Sequence, residues 1–163
     1  MMRTLKILLY LFISCLCFGC KSFLQRESRI EKQDDVYVLS FANLSFSVSA
    51  GKGGRIISFK CKDKELLTPD SVHSKYYGAT FWLSPQSEYW SQYQCIDELP
   101  YQAEVDKVTL RLVSSPDSIS GVFVTKEFSV SERDSSILIN YSVRNVSRQL
   151  KRLAPWDVTR VYG

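Results

Sequence analysis

Histidine is nearly missing from this sequence: His73 stands alone. No CxxC, HExxH or paired-histidine spacing occurs, which excludes the common zinc centres, and with no cofactor motif present no metal or cofactor is expected. Charge of one sign is lacking too. The chain carries 21 Lys+Arg against 17 Asp+Glu, scattered rather than striped, which argues against nucleic acid as a partner. No apolar run is long enough for a membrane-spanning helix. The longest, Ile7 to Gly19, would rise only about 20 Å against a hydrocarbon core of about 30 Å. Beyond that run no long stretch repeats apolar side chains at helical spacing, and no internal repeat or low-complexity tract is present. Cysteine is scarce where it would build a framework. Cys15, Cys17 and Cys20 stand at the start, which leaves Cys61 and Cys95 for the folded part, candidates for a disulfide in an oxidising compartment. Cys61 also falls in an alternating stretch, where it reads equally as a small buried residue.

What is present begins with an address. Arg3 and Lys6 precede the apolar run, and Gly19-Cys20 closes it. A basic start, a short apolar centre and a small residue at its end describe a removable signal. Glycine directly before cysteine resembles a bacterial lipobox, in which Cys20 is lipidated and becomes the mature N-terminus. Cys17 and Phe18 depart from the commoner residues there, and an ordinary cleaved signal is the alternative reading. Acyl chains on Cys20 would contribute about 0.8 kcal/mol per buried methylene and anchor the chain to membrane. The expected organisation is a signal over 1–19, a polar tether over 20–35 and one domain over 36–163. The expected location is the cell envelope, on the periplasmic face, since no acidic run follows Cys20.

The domain reads as strands. Ile137, Ile139, Tyr141 and Val143 alternate with Leu138, Asn140, Ser142 and Arg144, a period of two that puts one face on a core. Val108, Leu110 and Leu112 repeat it, as do Val122, Val124, Phe128 and Val130, with Lys126 breaking the pattern. Leu44, Phe46 and Val48 line one strand, and Ile57, Phe59 and Cys61 the next. Gly51 to Gly54, Lys62 to Lys64, Ser114 to Asp117 and Ser131 to Asp134 supply turns. Short strands at this spacing predict an all-β, antiparallel sandwich. Thr68 to Leu99 is irregular and rich in aromatics, as a functional connection in a β domain often is. The chain stops at Gly163 in mid-pattern, without a polar tail, so a domain incomplete at its C-terminus is expected.

Four segments carry a resemblance: Gly53 to Phe59 (GGRIISF), Gly78 to Trp90 (GATFWLSPQSEYW), Val124 to Val130 (VTKEFSV) and Ala154 to Val161 (APWDVTRV). In this order and spacing they resemble a family of bacterial proteins of unknown function in the galactose-mutarotase-like superfamily. The resemblance implies the N-terminal portion of a β-supersandwich with a groove for a sugar. Active relatives are aldose 1-epimerases, which use a histidine acid and a glutamate base. Ala154-Pro155-Trp156 stands where that histidine would lie, and the region of the glutamate lies past Gly163, so no catalytic residue is carried over.

Sugar C–H faces pack on aromatic rings while N–H and O–H groups meet hydroxyls. Trp82, Tyr89 and Trp90 are therefore candidates for a stacking platform, with Ser84, Gln86 and Glu88 as polar neighbours. Trp156 and Arg160 share a strand face and supply a second cluster, and Arg55 follows two glycines at the edge of the expected groove. Core packing and ordinary surface charge are the structural alternatives. His73 reads as a solvated loop residue, and Asp97-Glu98 as solvation. The sequence thus points to a carbohydrate-binding envelope lipoprotein, with a sugar epimerase complete only in a longer chain and an envelope protein-interaction component as alternatives.

Overall fold

Side-chain alternation decides which surface of each strand is covered, and it assembles two antiparallel sheets. The computed structural model describes residues 27–90 and 95–163. The segment expected to be a signal, Cys20 and the first part of the expected tether lie outside the described residues. The strands are β1 (Arg29–Gln33), β2 (Val36–Phe41), β3 (Leu44–Ser49), β4 (Arg55–Cys61), β5 (Lys64–Glu65), β6 (Ala79–Ser84), β7 (Tyr101–Asp106), β8 (Thr109–Ser114), β9 (Val122–Ser131), β10 (Ser136–Asn145) and β11 (Ala154–Thr159). The larger sheet runs β1-β2-β3-β4-β6-β11 with β5 paired to β4, and the smaller runs β10-β9-β8-β7. Their inner faces meet through Leu39, Phe46, Val48, Phe81, Leu110, Leu112, Val122, Val124 and Phe128, all buried. Each such side chain contributes about 1.5–3 kcal/mol by leaving water. Phe128 joins the layers, its ring 5.7 Å from Phe46 of the opposite sheet. The architecture is the all-β antiparallel sandwich that the alternation predicts. Among the described residues, no helix is long and apolar enough to cross a membrane.

Several local expectations are corrected. The tether does not extend to residue 35: Arg29–Gln33 pairs with β2 as an edge strand, and its hairpin turns at Asp34, which adopts φ 55°. Only Ile30 packs inward, and the charged remainder is what keeps an exposed edge from pairing further. At the head of this strand the Ser28 hydroxyl donates to Glu132 in the β9–β10 turn at 2.7 Å. In β4 the expected face Ile57, Phe59, Cys61 is broken by a bulge. The register passes from Ser47↔Ser58 to Val48↔Ile56, so Ile57 is the extra residue. Ile56 therefore joins Phe59 on the core side, and Arg55 turns to the outer face.

The aromatic-rich connection is not one loop, because it contains β6. Ala79, Phe81 and Leu83 point inward there, while Thr80 and Trp82 lie on the outer face. The seam with β4 is a single pair, Ile56↔Ala79. Gly78 permits it: at φ +60° a Cβ would stand 2.1 Å from the Ile56 carbonyl oxygen. Lys126, which interrupts the apolar pattern of β9, obeys its period all the same and is 1% exposed on the core face. The candidate disulfide does not form, since Cys61 and Cys95 are free thiols, and Cys61 is exposed rather than a small buried residue. Arg55, at the opposite end of β4 from Cys61, is the residue that meets Asp97. Six residues of strand separate the two positions by about 20 Å, beyond the ~7 Å span of a disulfide.

Candidate functional site

The outer face of β6 and β11 is where the side chains singled out in the sequence converge. The two strands pair antiparallel with Trp156 directly opposite Trp82 and Val158 opposite Thr80. Cross-strand neighbours on one face are close enough for aromatic rings to meet. Trp90, which follows the one-turn helix Gln86–Tyr89, folds back between them. Its ring centroid lies 4.5 Å from that of Trp82 and 4.7 Å from that of Trp156. Tyr76 extends the row on the other side, 6.0 Å from Trp82. The Arg160 guanidinium closes it, 5.5 Å over the Tyr76 ring. The result is a continuous ribbon, Trp156–Trp90–Trp82–Tyr76–Arg160. Trp82 and Trp90 are half-buried, whereas Trp156 is 41% and Tyr76 39% exposed.

The indoles are not equivalent. Trp82 donates its N–H to Asp97 Oδ2 at 3.2 Å, and Trp90 donates to the Leu83 carbonyl at 2.7 Å. Both donors are therefore spent on the protein, and the two rings offer a ligand their carbon faces and edges. Among the described residues Trp156 makes no such bond. The hydrogen-bonding groups left on the ribbon belong to Trp156, Tyr76 and Arg160. Arg160 is itself held in place, with Nη1 donating to Thr80 Oγ1 at 3.1 Å and to the Val158 carbonyl at 3.2 Å. Burial lowers its pKa from the ordinary arginine value, and the nearby Arg55 charge adds to the effect. It keeps its proton at any ordinary pH.

Beneath the ribbon lies a buried charge layer. Arg55, 1% exposed, donates Nη2 to Asp97 Oδ2 at 2.6 Å and to Glu98 Oε1 at 3.2 Å, and Nη1 to the Lys75 carbonyl at 2.8 Å. Its Nε is buried without an oxygen partner, and the guanidinium stacks 4.8 Å over Tyr77. Arg55 thus supports the platform from below. Asp97 also accepts from the Phe81 amide at 3.3 Å. Burial raises the Asp97 carboxyl above the usual carboxylate range, opposed first by Arg55, then by Lys126, Trp82 and Phe81. The one-turn helix Cys95–Glu98 brings both carboxylates to one guanidinium, contrary to the expectation of two solvated groups. Gly53 makes room for that helix: with φ +64°, a Cβ there would lie 2.2 Å from the Asp97 backbone. Lys126 completes the layer from the core side. Its ammonium donates to the Gly53 carbonyl at 2.7 Å and the Gly54 carbonyl at 3.3 Å, beneath the rings of Phe81, Tyr101 and Tyr141.

The remaining candidates divide. Tyr89 is buried, with its hydroxyl donating to the Arg152 carbonyl at 3.3 Å, so it pins the connection before β11. Gln86 is exposed on its helix and away from the bonds of the ribbon. His73 accepts the Lys75 and Tyr76 amides on Nδ1 and lies 4.9 Å from Tyr76, at the end of the ribbon. Tyr76, Asp97 and Lys126 carry this arrangement without having been singled out as site residues. The contacts that place them, Tyr76 with Arg160, Asp97 with Arg55 and Lys126 with Gly53, run to residues far away in sequence, and no local motif signals them. No group of three His, Cys, Asp or Glu able to hold a metal ion exists among the described residues.

No protein-family model matches the chain, and no curated protein matches it. Among solved structures it resembles the crystal structure of 4-alpha-glucanotransferase from Thermococcus litoralis, with a TM-score of 0.50 and 13% identity. The likeness covers 74% of this chain and 25% of that one, so the chain spans about a quarter of that enzyme. At this identity the likeness concerns the fold.

Proposed function

We propose that this protein is a carbohydrate-binding lipoprotein of the bacterial envelope, built on a galactose-mutarotase-like scaffold and acting by holding a saccharide rather than transforming it. The observation that carries the reading is the ribbon of Trp156, Trp90, Trp82 and Tyr76 on the outer face of β6 and β11. Ring faces with their own N–H groups already satisfied suit the C–H faces of a sugar, and Trp156, Tyr76 and Arg160 supply donors for its hydroxyls. A fold shared with part of a glucanotransferase agrees with a sugar ligand. The basic start, apolar run and Gly19-Cys20 support lipid attachment at Cys20, which radiolabelled palmitate incorporation, lost in Cys20→Ser, would test.

Titration of the protein with neutral mono- and oligosaccharides is expected to change tryptophan emission. Trp156→Ala is expected to weaken binding about tenfold, the equivalent of one lost stacking contact of about 1.4 kcal/mol. Its melting temperature should stay close to wild type, because the ring is exposed. If no saccharide alters the emission, or if Trp156→Ala binds as well as wild type, the platform does not hold a sugar.

A further inference from the structure

The two ends of the ribbon differ in chemistry. At the Trp156 end there are aromatic faces and one indole N–H without a partner among the described residues. At the Tyr76 end there are cations. The Lys75 ammonium and the Arg160 guanidinium both lie 5.5 Å from the Tyr76 ring centre. His73 stacks on the same ring and uses Nδ1 as acceptor for two backbone amides, so its proton sits on Nε2, the outer nitrogen. No ion pair involves Lys75 or Arg160 among the described residues. Asp97 and Glu98, the carboxylates of the layer beneath, are both bonded to Arg55. Of the Arg160 fork only Nη1 is used, on Thr80 and Val158, which fixes the plane and leaves Nη2 and Nε without protein partners among the described residues.

A neutral sugar hydroxyl both donates and accepts, so a fully neutral ligand is best met by mixed donors and acceptors. At this corner the two cations offer donors only, since arginine and lysine have no acceptor atom, and the Tyr76 hydroxyl is the one group beside them that can also accept. The group that satisfies the cations is acceptor-only and negatively charged, and a planar fork held at a fixed angle suits two oxygens of one oxyanion. We infer that the ribbon selects an anionic saccharide, with the sugar ring on Trp82, Trp90 and Trp156 and its carboxylate or phosphate against Arg160 and Lys75. This rests on the saccharide-binding reading above and adds the charge and the direction of the ligand.

The test uses the full-length chain and two pairs of probes: a neutral oligosaccharide with its uronic acid counterpart, and a phosphorylated monosaccharide with its neutral parent. The charged member of a pair is expected to bind at least about tenfold more tightly than the neutral one. The advantage should shrink as salt rises. Arg160→Met should abolish the advantage, and Lys75→Gln, an exposed change outside the hydroxyl donors of the ribbon, should reduce it about threefold while leaving neutral binding within about twofold. Preference for the uronate or for the phosphate identifies the source of the oxyanion, and either upholds the inference. Equal binding of charged and neutral sugars overturns it while leaving the saccharide platform standing, and so does an Arg160→Met variant that weakens both alike. Absence of binding by every probe removes the platform reading as well. If Arg160→Met loses its cooperative melting, Lys75→Gln and the salt titration decide, and unchanged discrimination in both counts against the inference.

Discussion

Replacing Asp97 with alanine is expected to lower the free energy of unfolding by about 3–5 kcal/mol, the usual consequence of removing one partner from a buried ion pair. The cost has several sources. Arg55, at 1% exposure, would keep a buried charge whose shortest ion pair is gone. Lys126 would lose a nearby counter-charge, and the Trp82 indole and Phe81 amide would lose their acceptor. Domains of this size have only about 5–15 kcal/mol to lose, so a large drop in the urea midpoint should be evident. Replacing both members by apolar residues of similar volume, Arg55→Met with Asp97→Leu, should recover part of the loss, because the double variant buries no orphaned charge. A change below about 1 kcal/mol in Asp97→Ala would mean the ion pair is not what seats the Cys95–Glu98 helix under the ribbon.

The second large effect concerns alkaline pH. Burial pulls the Lys126 ammonium down from 10.5 to about 8, against the attraction of Asp97 and Asp157 and with the help of Arg55. Between those values the unfolded chain holds the proton and the folded chain has released it, so raising the pH favours the folded chain. Below the lower value both forms are protonated and the slope vanishes. The rise across the window is on the order of 3 kcal/mol. Cys95, Tyr101 and Tyr141 act in the opposite sense. Burial raises all three, so each removes stability once the pH passes the point at which the unfolded chain ionises. The informative quantity is therefore the difference between wild type and Lys126→Met in urea unfolding from neutral to alkaline pH. At neutral pH the variant should be less stable by about 2 kcal/mol, since two carbonyls lose a charged donor. The gap should widen through the window. Parallel curves would show that Lys126 does not release its proton in the folded chain.

Lys126 also shows where sequence reasoning reaches its limit. The period of two placed β9 and its faces, and Lys126 obeys it. What sequence does not supply is the pair of carbonyls at Gly53 and Gly54, more than seventy residues away, that let an ammonium sit among aromatic rings. β1 was hidden for a different reason, since RIEKQ has one apolar residue and a strand at a sheet edge needs no more. β6 was hidden because Trp82, on its outer face, is covered by Trp90 and Asp97, which conceals the alternation. The large aromatics and Arg160 were legible as chemistry from residue type alone. Their assembly into one surface depends on the register Trp156↔Trp82, a pairing across more than seventy positions. Arg55 and Tyr89, equally plausible by type, proved to be interior supports.

The bond from Ser28 to the β9–β10 turn fixes where the chain enters the domain. Ser28 precedes Arg29, whose strand neighbours lead through Ser40, Phe41 and Leu44 to Cys61, all at one end of the larger sheet. Trp82 lies past the other end, reached by way of Ile56 and Ala79. Five residues of β4 and three of β6 make that separation about 25 Å. The tryptophan surface therefore lies at the pole of the domain opposite the one where the chain enters at Ser28.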